Sequence, residues 1–367
     1  MNLPTTMLKT YLHDSGWRTH TCNSCGTEAL KKTTEVCLNA TCPQAGFIPR
    51  TTFMSLAEAA GKFDGILEHS HTKLSPAPIV HPTYSSLFAS AGVNAVHETI
   101  FSETADEYRR VYVIQPVIRT QFFDAVSSKG SSTSFVNPSF MQLTASPDDH
   151  IYGIERLFDC LSGLGIYVGN MALSLSERTS QWGISPHRKL QLDVHYRGLQ
   201  IADAIYTSEF PQSTRDSLSM SDIGIGLERA VWLVNGSPSY FDAIGPHAHA
   251  LTHAPELLDG VRTMTLMALG GVTPGRTNQG YQFRRLAKRT ASLLTVPDVR
   301  KLAEHYSRQW QTYGPSTVSD ADAIATVESE VDKQFANALA AETGFTKQTP
   351  DENTETFLQR LLLRGST

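Results

Sequence analysis

The sequence predicts an α+β protein: an antiparallel sheet flanked by helices, with a small metal-binding module ahead of it and a helical domain behind it. Three observations carry that reading. Four of the five cysteines fall within the first 60 residues. Between residues 61 and 245, strand-like runs such as VYVIQPVI and KLQLDVHY alternate with helical stretches and with Ser, Pro and Gly punctuation. Over residues 246–367 the pattern turns helical.

The first module, residues 1–60, is defined by its cysteines. Cys22 and Cys25 are separated by two residues, Cys37 and Cys42 by four, and eleven residues lie between the pairs. Two such knuckles give the closed four-thiolate shell of a structural zinc site, with no position left for catalysis. Gly26, just after the first knuckle, supplies the positive φ that such turns favour. The remaining cysteine, Cys160, stands alone, and a disulfide framework does not fit an odd count in a long intracellular chain.

The core, residues 61–245, contains the most informative stretch, SDIGIGLERAVW (221–232). Gly224 and Gly226 let a ligand approach the backbone closely. Arg229 offers a fixed-charge fork suited to phosphate, and Asp222 a carboxylate suited to an ammonium. By itself this pattern also fits a plain strand–helix turn with a surface arginine. The Ser-rich tract SSKGSSTS (127–134) reads as a mobile loop.

In the last domain, Ile324, Val327, Val331, Phe335 and Leu339 recur at three and four residues, as on the buried stripe of a helix. GFTKQTPDENTET (344–356) reads as a polar linker to a short final helix, FLQRLLLR. Arg284, Arg285, Lys288 and Arg289 form a basic run spread over more than one helix face, so it fits a phosphate backbone or a solvated helix equally. His247, His249 and His253 lack a matching set of further ligands and read as ordinary loop and helix residues.

Composition sets the outer limits. The chain has 367 residues, 40% hydrophobic and 18% charged, with a formal net charge of −5. An acidic balance excludes a global positive field, so a nucleic-acid partner needs a local basic stripe. No apolar run approaches the roughly 20 residues that span a bilayer, and MNLPTTMLKTYLHDSGW lacks a signal peptide's apolar stretch. The expected address is the cytoplasm, with no membrane partner.

Several blocks together resemble the catalytic region of class II aminoacyl-tRNA synthetases of the alanyl, archaeal type. SDIGIGLERAVWLVNGSPSYFDAI resembles that family's motif 3. SSLFASAGVNAV (85–96) is similar to the strand and turn before motif 2, IQPVIRTQFF (114–123) to motif 2, and PSFMQL (138–143) to its returning strand. HYRGLQIADAIY (195–206) resembles the strand lining the amino-acid pocket, and NQGYQFRRLAKR (278–289) the helix opening the helical domain. The cysteine cluster matches an N-terminal zinc module.

The resemblance implies a class II synthetase sheet and an ATP-dependent ligase that forms an aminoacyl-adenylate. Its cofactors would be structural Zn²⁺ and Mg²⁺, with ATP and a small amino acid, alanine or one like it, as substrates. Residue by residue it implies that Arg119 holds the α-phosphate and Arg229 the γ-phosphate, as the two catalytic arginines. Phe140 would lie under the adenine. Asp222 would bind the substrate ammonium, with Ile205, Trp182, Gly224 and Gly226 around the amino acid. Glu228 and Asp193 would orient Mg²⁺ or the arginines.

The sequence departs from the family at four places. GISPHRKL (183–190) replaces a glycine-rich segment beside the amino-acid site, Met141 stands where a glutamate is expected, and Arg276 where an acceptor-stem asparagine is expected. The reading also expects no counterpart of the family's editing and C-terminal domains after the helical domain. Missing editing tilts the expected acceptor from a tRNA acceptor stem toward a small metabolite, nucleoside or carrier, because fidelity matters less outside translation. The alternative from another class is a catalytically silent sensor of an amino acid or nucleotide. Joint retention of Arg119, Asp222 and Arg229 argues against it.

Overall fold

A computed structural model of the chain describes residues 4–32, 37, 39, 42, 53–97, 110–122, 126, 130–182, 185–208, 219–244, 254–293, 299–314 and 316–343. The chain forms two compact units. The first is Met1–Val117, Ser128–Gly130 and Phe135–Ile244; the second is Ile118–Ser127, Ser131–Ser134 and Gly245–Thr367.

The first unit is built on a sheet with nine strands among the described residues: β1 Arg18–Thr21, β2 Glu28–Lys31, β3 Thr72–Lys73, β4 Arg110–Ile118, β5 Ser134–Leu143, β6 Met171–Trp182, β7 Ser185–Tyr196, β8 Leu199–Thr207 and β9 Met220–Ile225. Their order across the sheet is β1-β2-β6-β7-β8-β9-β5-β4-β3. Along β1-β2-β6-β7-β8-β9-β5 each pair is antiparallel, and β3 and β4 pair in parallel. The tip of β4 (Ile118) and the first residue of β5 (Ser134) belong to the second unit. The β7–β8 hairpin turns on Arg197 and Gly198, with φ of 51° and 80°, the two positive values a tight two-residue turn needs. The cysteine-bearing hairpin β1–β2 extends the sheet, with Leu30 opposite Leu173 of β6.

Helices α1 (Thr5–Asp14), α2 (Leu56–Leu67), α3 (Pro147–Gly163) and α4 (Leu227–Asn235) complete this unit. Serines start two of them. Ser55 and Glu58 form a reciprocal capping box at α2, and Ser146 and Asp149 another at α3, where Pro147 supplies the first helical residue. One face of α3 is buried through Gly153, Ile154, Leu157, Phe158 and Leu161, and it packs on the sheet. His150 meets Ser221 of β9 at 2.8 Å, and the space beside Gly153 is filled by Ile223. Residues 85–91 contain no strand. They bend into a 3-10 turn at Gly92–Val96, whose Gly92 amide is held by Asn137 of β5 at 3.1 Å.

The second unit packs α5 (Pro255–Leu269), α6 (Asn278–Ala291), α7 (Val299–Gln311) and α8 (Asp320–Thr343). Every residue of α5 from Leu257 to Leu269 is buried, which makes it the central helix. Residues 132–134 are buried here, so the end of the Ser-rich tract is a fixed segment. Thr133 places its amide and hydroxyl on Asp259 of α5 and the Ser134 hydroxyl meets Thr263 of α5, while the Ser132 hydroxyl donates to the Ser134 carbonyl.

Candidate active site and metal centre

Strand register decides which predicted side chains share a face, because directly paired residues project to the same side and neighbours along a strand to opposite sides. Asp222 of β9 pairs with Ile205 of β8 and with Met141 of β5, and Gly224 pairs with Asp203 and with Ser139. Asp222, Ile205, Gly224 and Asp203 therefore lie together on the face away from α3. All four are partly accessible. Gly224 is bare for a reason: a Cβ there would lie 3.0 Å from Asn137 Nδ2 and 3.3 Å from Ser139 Oγ.

Asp193 of β7 continues this face, opposite Asp203. It is 6% exposed and accepts hydrogen bonds from Gln191 Nε2 at 2.6 Å and Gln200 Nε2 at 2.8 Å, with Arg178 at 3.6 Å. Arg229 stands in the first turn of α4, just past Gly226. Its Nε donates to the Gly130 carbonyl at 2.8 Å and its Nη1 to the Gln200 carbonyl at 2.6 Å. Burial pulls the Arg229 pKa below its ordinary value. Burial, with Arg229 adding to it, also lowers His195 to about 4, so that imidazole is neutral at pH 7. Gln200 links the two halves of the face, with its side chain on Asp193 and its carbonyl on Arg229.

Two assignments do not survive this geometry. Phe140 pairs with Ile223, on the helix-covered face, and is 2% exposed among Phe63 of α2, at 6.3 Å between ring centres, and His71, at 5.4 Å. It is core packing, separated from Asp222 by the sheet, and not an adenine platform. Glu228 is fully enclosed, and both its oxygens accept the Val136 amide at 2.9 Å. It ties α4 to β5, and its full burial does not fit a Mg²⁺ ligand. Asp193 has the same difficulty as a Mg²⁺ ligand, since its carboxylate is engaged by two glutamines and an arginine.

Gly226 caps α4, with its amide on the Ile201 carbonyl at 2.9 Å. Trp182 ends β6 opposite Ser185, and its side chain falls outside the described residues. His247, His249, His253 and the stretch from 344 onward are also outside them. Arg119 belongs to the second unit, directly after β4, where its amide donates to the Thr133 carbonyl at 2.8 Å.

Asp203, Gln191 and Gln200 were not singled out from the sequence. The signal was present: in LQIADAIYT, positions two apart share a face, so Asp203 goes wherever Ile205 goes.

The four cysteines converge. The sulfurs of Cys22, Cys25, Cys37 and Cys42 all lie within 4.8 Å of one another, with Cys22–Cys42 and Cys25–Cys37 each at 3.6 Å. Four thiolates at about 2.3 Å from one Zn²⁺ in a tetrahedron stand about 3.8 Å apart, so the set fits that ion. Gly26 has φ 74° and its amide closes a turn on the Cys22 carbonyl at 2.8 Å, which aims the first knuckle inward.

No protein-family profile matches the chain. Among curated proteins it is similar to the alanine–tRNA ligase of Methanoculleus marisnigri, at 22% identity over 312 residues covering 78% of this chain and 34% of that protein. The enzyme of Methanococcoides burtonii is 20% identical over 349 residues, covering 89% and 36%. That of Natronomonas pharaonis is 24% identical over 268 residues, covering 64% and 29%. The chain resembles the alanyl-tRNA synthetases.

The chain spans about a third of the length of these alanyl-tRNA synthetase relatives. Among solved structures it matches a pyrrolysyl-tRNA synthetase of Desulfitobacterium hafniense, with TM-score 0.37, 13% identity, and coverage of 52% of this chain and 73% of that one. It also matches an asparaginyl-tRNA synthetase of Entamoeba histolytica in complex with asparaginyl-adenylate, with TM-score 0.38, 9% identity, and coverage of 51% and 64%. Among the described residues, no helix is long and apolar enough to cross a membrane.

Proposed function

We propose that this protein uses ATP to activate alanine, or a similar small amino acid, as its aminoacyl-adenylate. The observation that supports this most is the shared face of β8 and β9, where Asp222, Ile205 and bare Gly224 lie together and Arg229 follows on α4. The likeness to alanine–tRNA ligases points the same way.

The chemistry follows from the groups. The amino-acid carboxylate attacks the α-phosphorus of ATP, and the bond to pyrophosphate breaks. Both reactants are anionic, so the site must hold them together against repulsion. Asp222 grips the substrate ammonium, which fixes its α-carbon beside Ile205. That apolar wall favours a short apolar side chain, although one methyl group in such a pocket is worth only about 1–3 kcal/mol. Arg229 contributes a fixed positive fork to the polyphosphate, and Arg119 one to the α-phosphate, where charge builds in the transition state. Neither role requires a proton transfer. Glu228 and Asp193, whose carboxylates are engaged by protein donors, do not fit Mg²⁺. The cysteine quartet would hold Zn²⁺ for folding alone, since four thiolates close its coordination shell.

For the acceptor, tRNA is the reading the relatives' names support; the small-metabolite or carrier acceptor has no counterpart among them. α6 adds a local argument. Arg284 is drawn to Glu330 at 3.5 Å, while Arg285 and Lys288 are exposed on the same helix face as exposed Tyr281. A short basic and aromatic face of this kind suits a nucleic-acid backbone.

Amino-acid-dependent ATP–pyrophosphate exchange across alanine, glycine and serine tests the reading. Exchange with at least one of them is expected. No exchange with any, from folded protein, would overturn it in favour of a sensor. Arg229→Ala should abolish exchange, and Asp222→Ala should raise the amino-acid KM steeply. Charging of tRNA, with an RNase-treated control, then tests the acceptor.

A further inference from the structure

The buried polar row on α5 has no part in that mechanism. Asp259, Arg262 and Thr263 follow at i, i+3 and i+4, on one face of a helix buried throughout. A completely buried aspartate and arginine are expensive to keep, and apolar residues of similar volume would often serve stability as well. Both oxygens of Asp259 and two nitrogens of the Arg262 guanidinium are hydrogen-bonded, and most of these bonds go to one short segment. Thr133 donates its amide to Asp259 Oδ1 at 2.7 Å and its hydroxyl to Oδ2 at 2.6 Å. Arg262 Nη1 donates to the Ser134 carbonyl at 2.6 Å, and the Ser134 and Thr263 hydroxyls meet at 2.8 Å.

The arginine is itself braced. Its Nε donates to Gln309 at 3.0 Å, its guanidinium lies 4.0 Å over the Trp310 ring, and Trp310 Nε1 donates to the Arg262 carbonyl at 3.0 Å. The segment so held also carries Arg119: the Thr133 carbonyl accepts the amide of Arg119 at 2.8 Å. All of these residues lie in the second unit.

We infer that Asp259 and Arg262 are positioning residues that set the backbone of Arg119 through Thr133 and Ser134. The purpose assigned to that backbone, presenting a guanidinium to the α-phosphate, rests on the proposed function; the coupling itself does not. A carboxylate is suited to the task because it accepts the amide and the hydroxyl of one residue at once, which fixes the orientation of the Thr133 peptide. That peptide's carbonyl then has one direction in which to receive Arg119. Displacing a phosphate-binding group by about 1 Å is enough to cost up to 100-fold in rate.

Two measurements on the full chain separate the inference from the function it serves. The first is amide hydrogen exchange at Arg119 in the wild type, Asp259→Asn and Thr133→Val. Both variants are near-isosteric, which limits the risk of unfolding, and the amides of α6 and α8 report whether the unit stays folded. Protection at Arg119 is expected to fall at least tenfold in both variants while α6 and α8 keep theirs. Unchanged protection at Arg119, or an equal loss across all the helices, overturns the coupling whatever the protein catalyses.

The second is pyrophosphate exchange. Asp259→Asn should lower kcat about tenfold and raise the KM for ATP, with the amino-acid KM unchanged. Loss of folded protein would lower kcat alone. The double variant with Arg119→Ala should be no worse than Arg119→Ala by itself, because Asp259 acts only through that arginine. Additive losses would overturn the route through Arg119. Absence of exchange in the wild type would count against the proposed function and leave the first measurement to decide the coupling.

Discussion

Gly224 sits where three side chains crowd one point of the β9 backbone: Asn137 Nδ2, Ser139 Oγ and Asp203 Oδ1 would all lie within 3.5 Å of a Cβ placed there. Asn137 cannot yield freely. Its amide nitrogen holds the Ile225 carbonyl at 2.9 Å and its oxygen holds the Gly92 amide at 3.1 Å. Gly224→Ala should therefore cost about 1–3 kcal/mol by overpacking and raise the amino-acid KM several-fold. Urea unfolding and pyrophosphate exchange check the two effects, and a variant as stable and active as the wild type would show the contact to be soft. This residue also shows what a motif conveys. The glycines, Asp222 and Arg229 stand out through several blocks in one family's order, since the GxGxxR pattern alone fits a plain strand–helix turn equally well. Phe140 and Glu228 were misassigned because a motif names residues without naming faces. One step along β5 takes Met141, opposite Asp222, to Phe140 on the far side of the sheet.

The cysteine hairpin carries the same lesson at the level of an element. Its ligand spacing predicted a zinc-binding fold, and the sulfurs meet accordingly. Spacing could not reveal that β2 would pair with β6 and so add the hairpin to the sheet. Trp17, buried beside β1 and 5.8 Å from the Phe158 ring of α3, locks it there. Metal loss should consequently loosen the sheet edge as well as the knuckles. The expected content is one zinc per chain. Cys37→Ser should lose that zinc and a few kcal/mol of stability, which for a domain of this size is a Tm drop of roughly 5–10 °C. Metal analysis with a thermal scan, with and without chelator, tests it; an apo protein with unchanged Tm would make the site incidental. KLQLDVHY was legible from its alternation, VYVIQPVI as an apolar run rich in β-branched residues, and the long helix α8 from its spacing of three and four. Residues 85–91 and 131–134 were not, because long-range partners fix them: Asn137 of β5 for the turn after the first, and α5 for the second.

For the whole molecule, the division into two units assigns residues 118–127 and 131–134 to the helical unit, although they lie inside the stretch that supplies the sheet. No local pattern announces this, since the bonds responsible span more than 120 residues of sequence. The two units also bury titratable groups of opposite consequence. In the first, burial lowers His150 to about 3, His71 to about 4 and His195 to about 4. These folded-state values lie below the ordinary 6.5. Their contribution to stability is complete above that pH and is lost as pH falls through 6.5 toward 4 and 3, where the unfolded chain takes up protons that the folded one refuses. His150, 1% exposed with Nδ1 on Ser221, should account for about 1.4 kcal/mol per pH unit in that window. In the second unit, burial raises Asp259 to about 6, against the opposing pull of the Thr133 bonds and Arg262. Its contribution is complete below the ordinary 3.8 and is lost as pH rises through about 6, which is the reverse sign. Between pH 7 and pH 5 the sheet unit should therefore lose stability while the helical unit holds or gains. Amide hydrogen exchange at the two pH values, corrected for intrinsic rates, resolves the units separately. His150→Gln keeps a partner for Ser221 and removes the titration, so it should flatten the acid slope of the sheet unit alone. An unchanged slope in that variant would mean that His150 is protonated without cost, and that the burial seen around it does not persist in solution.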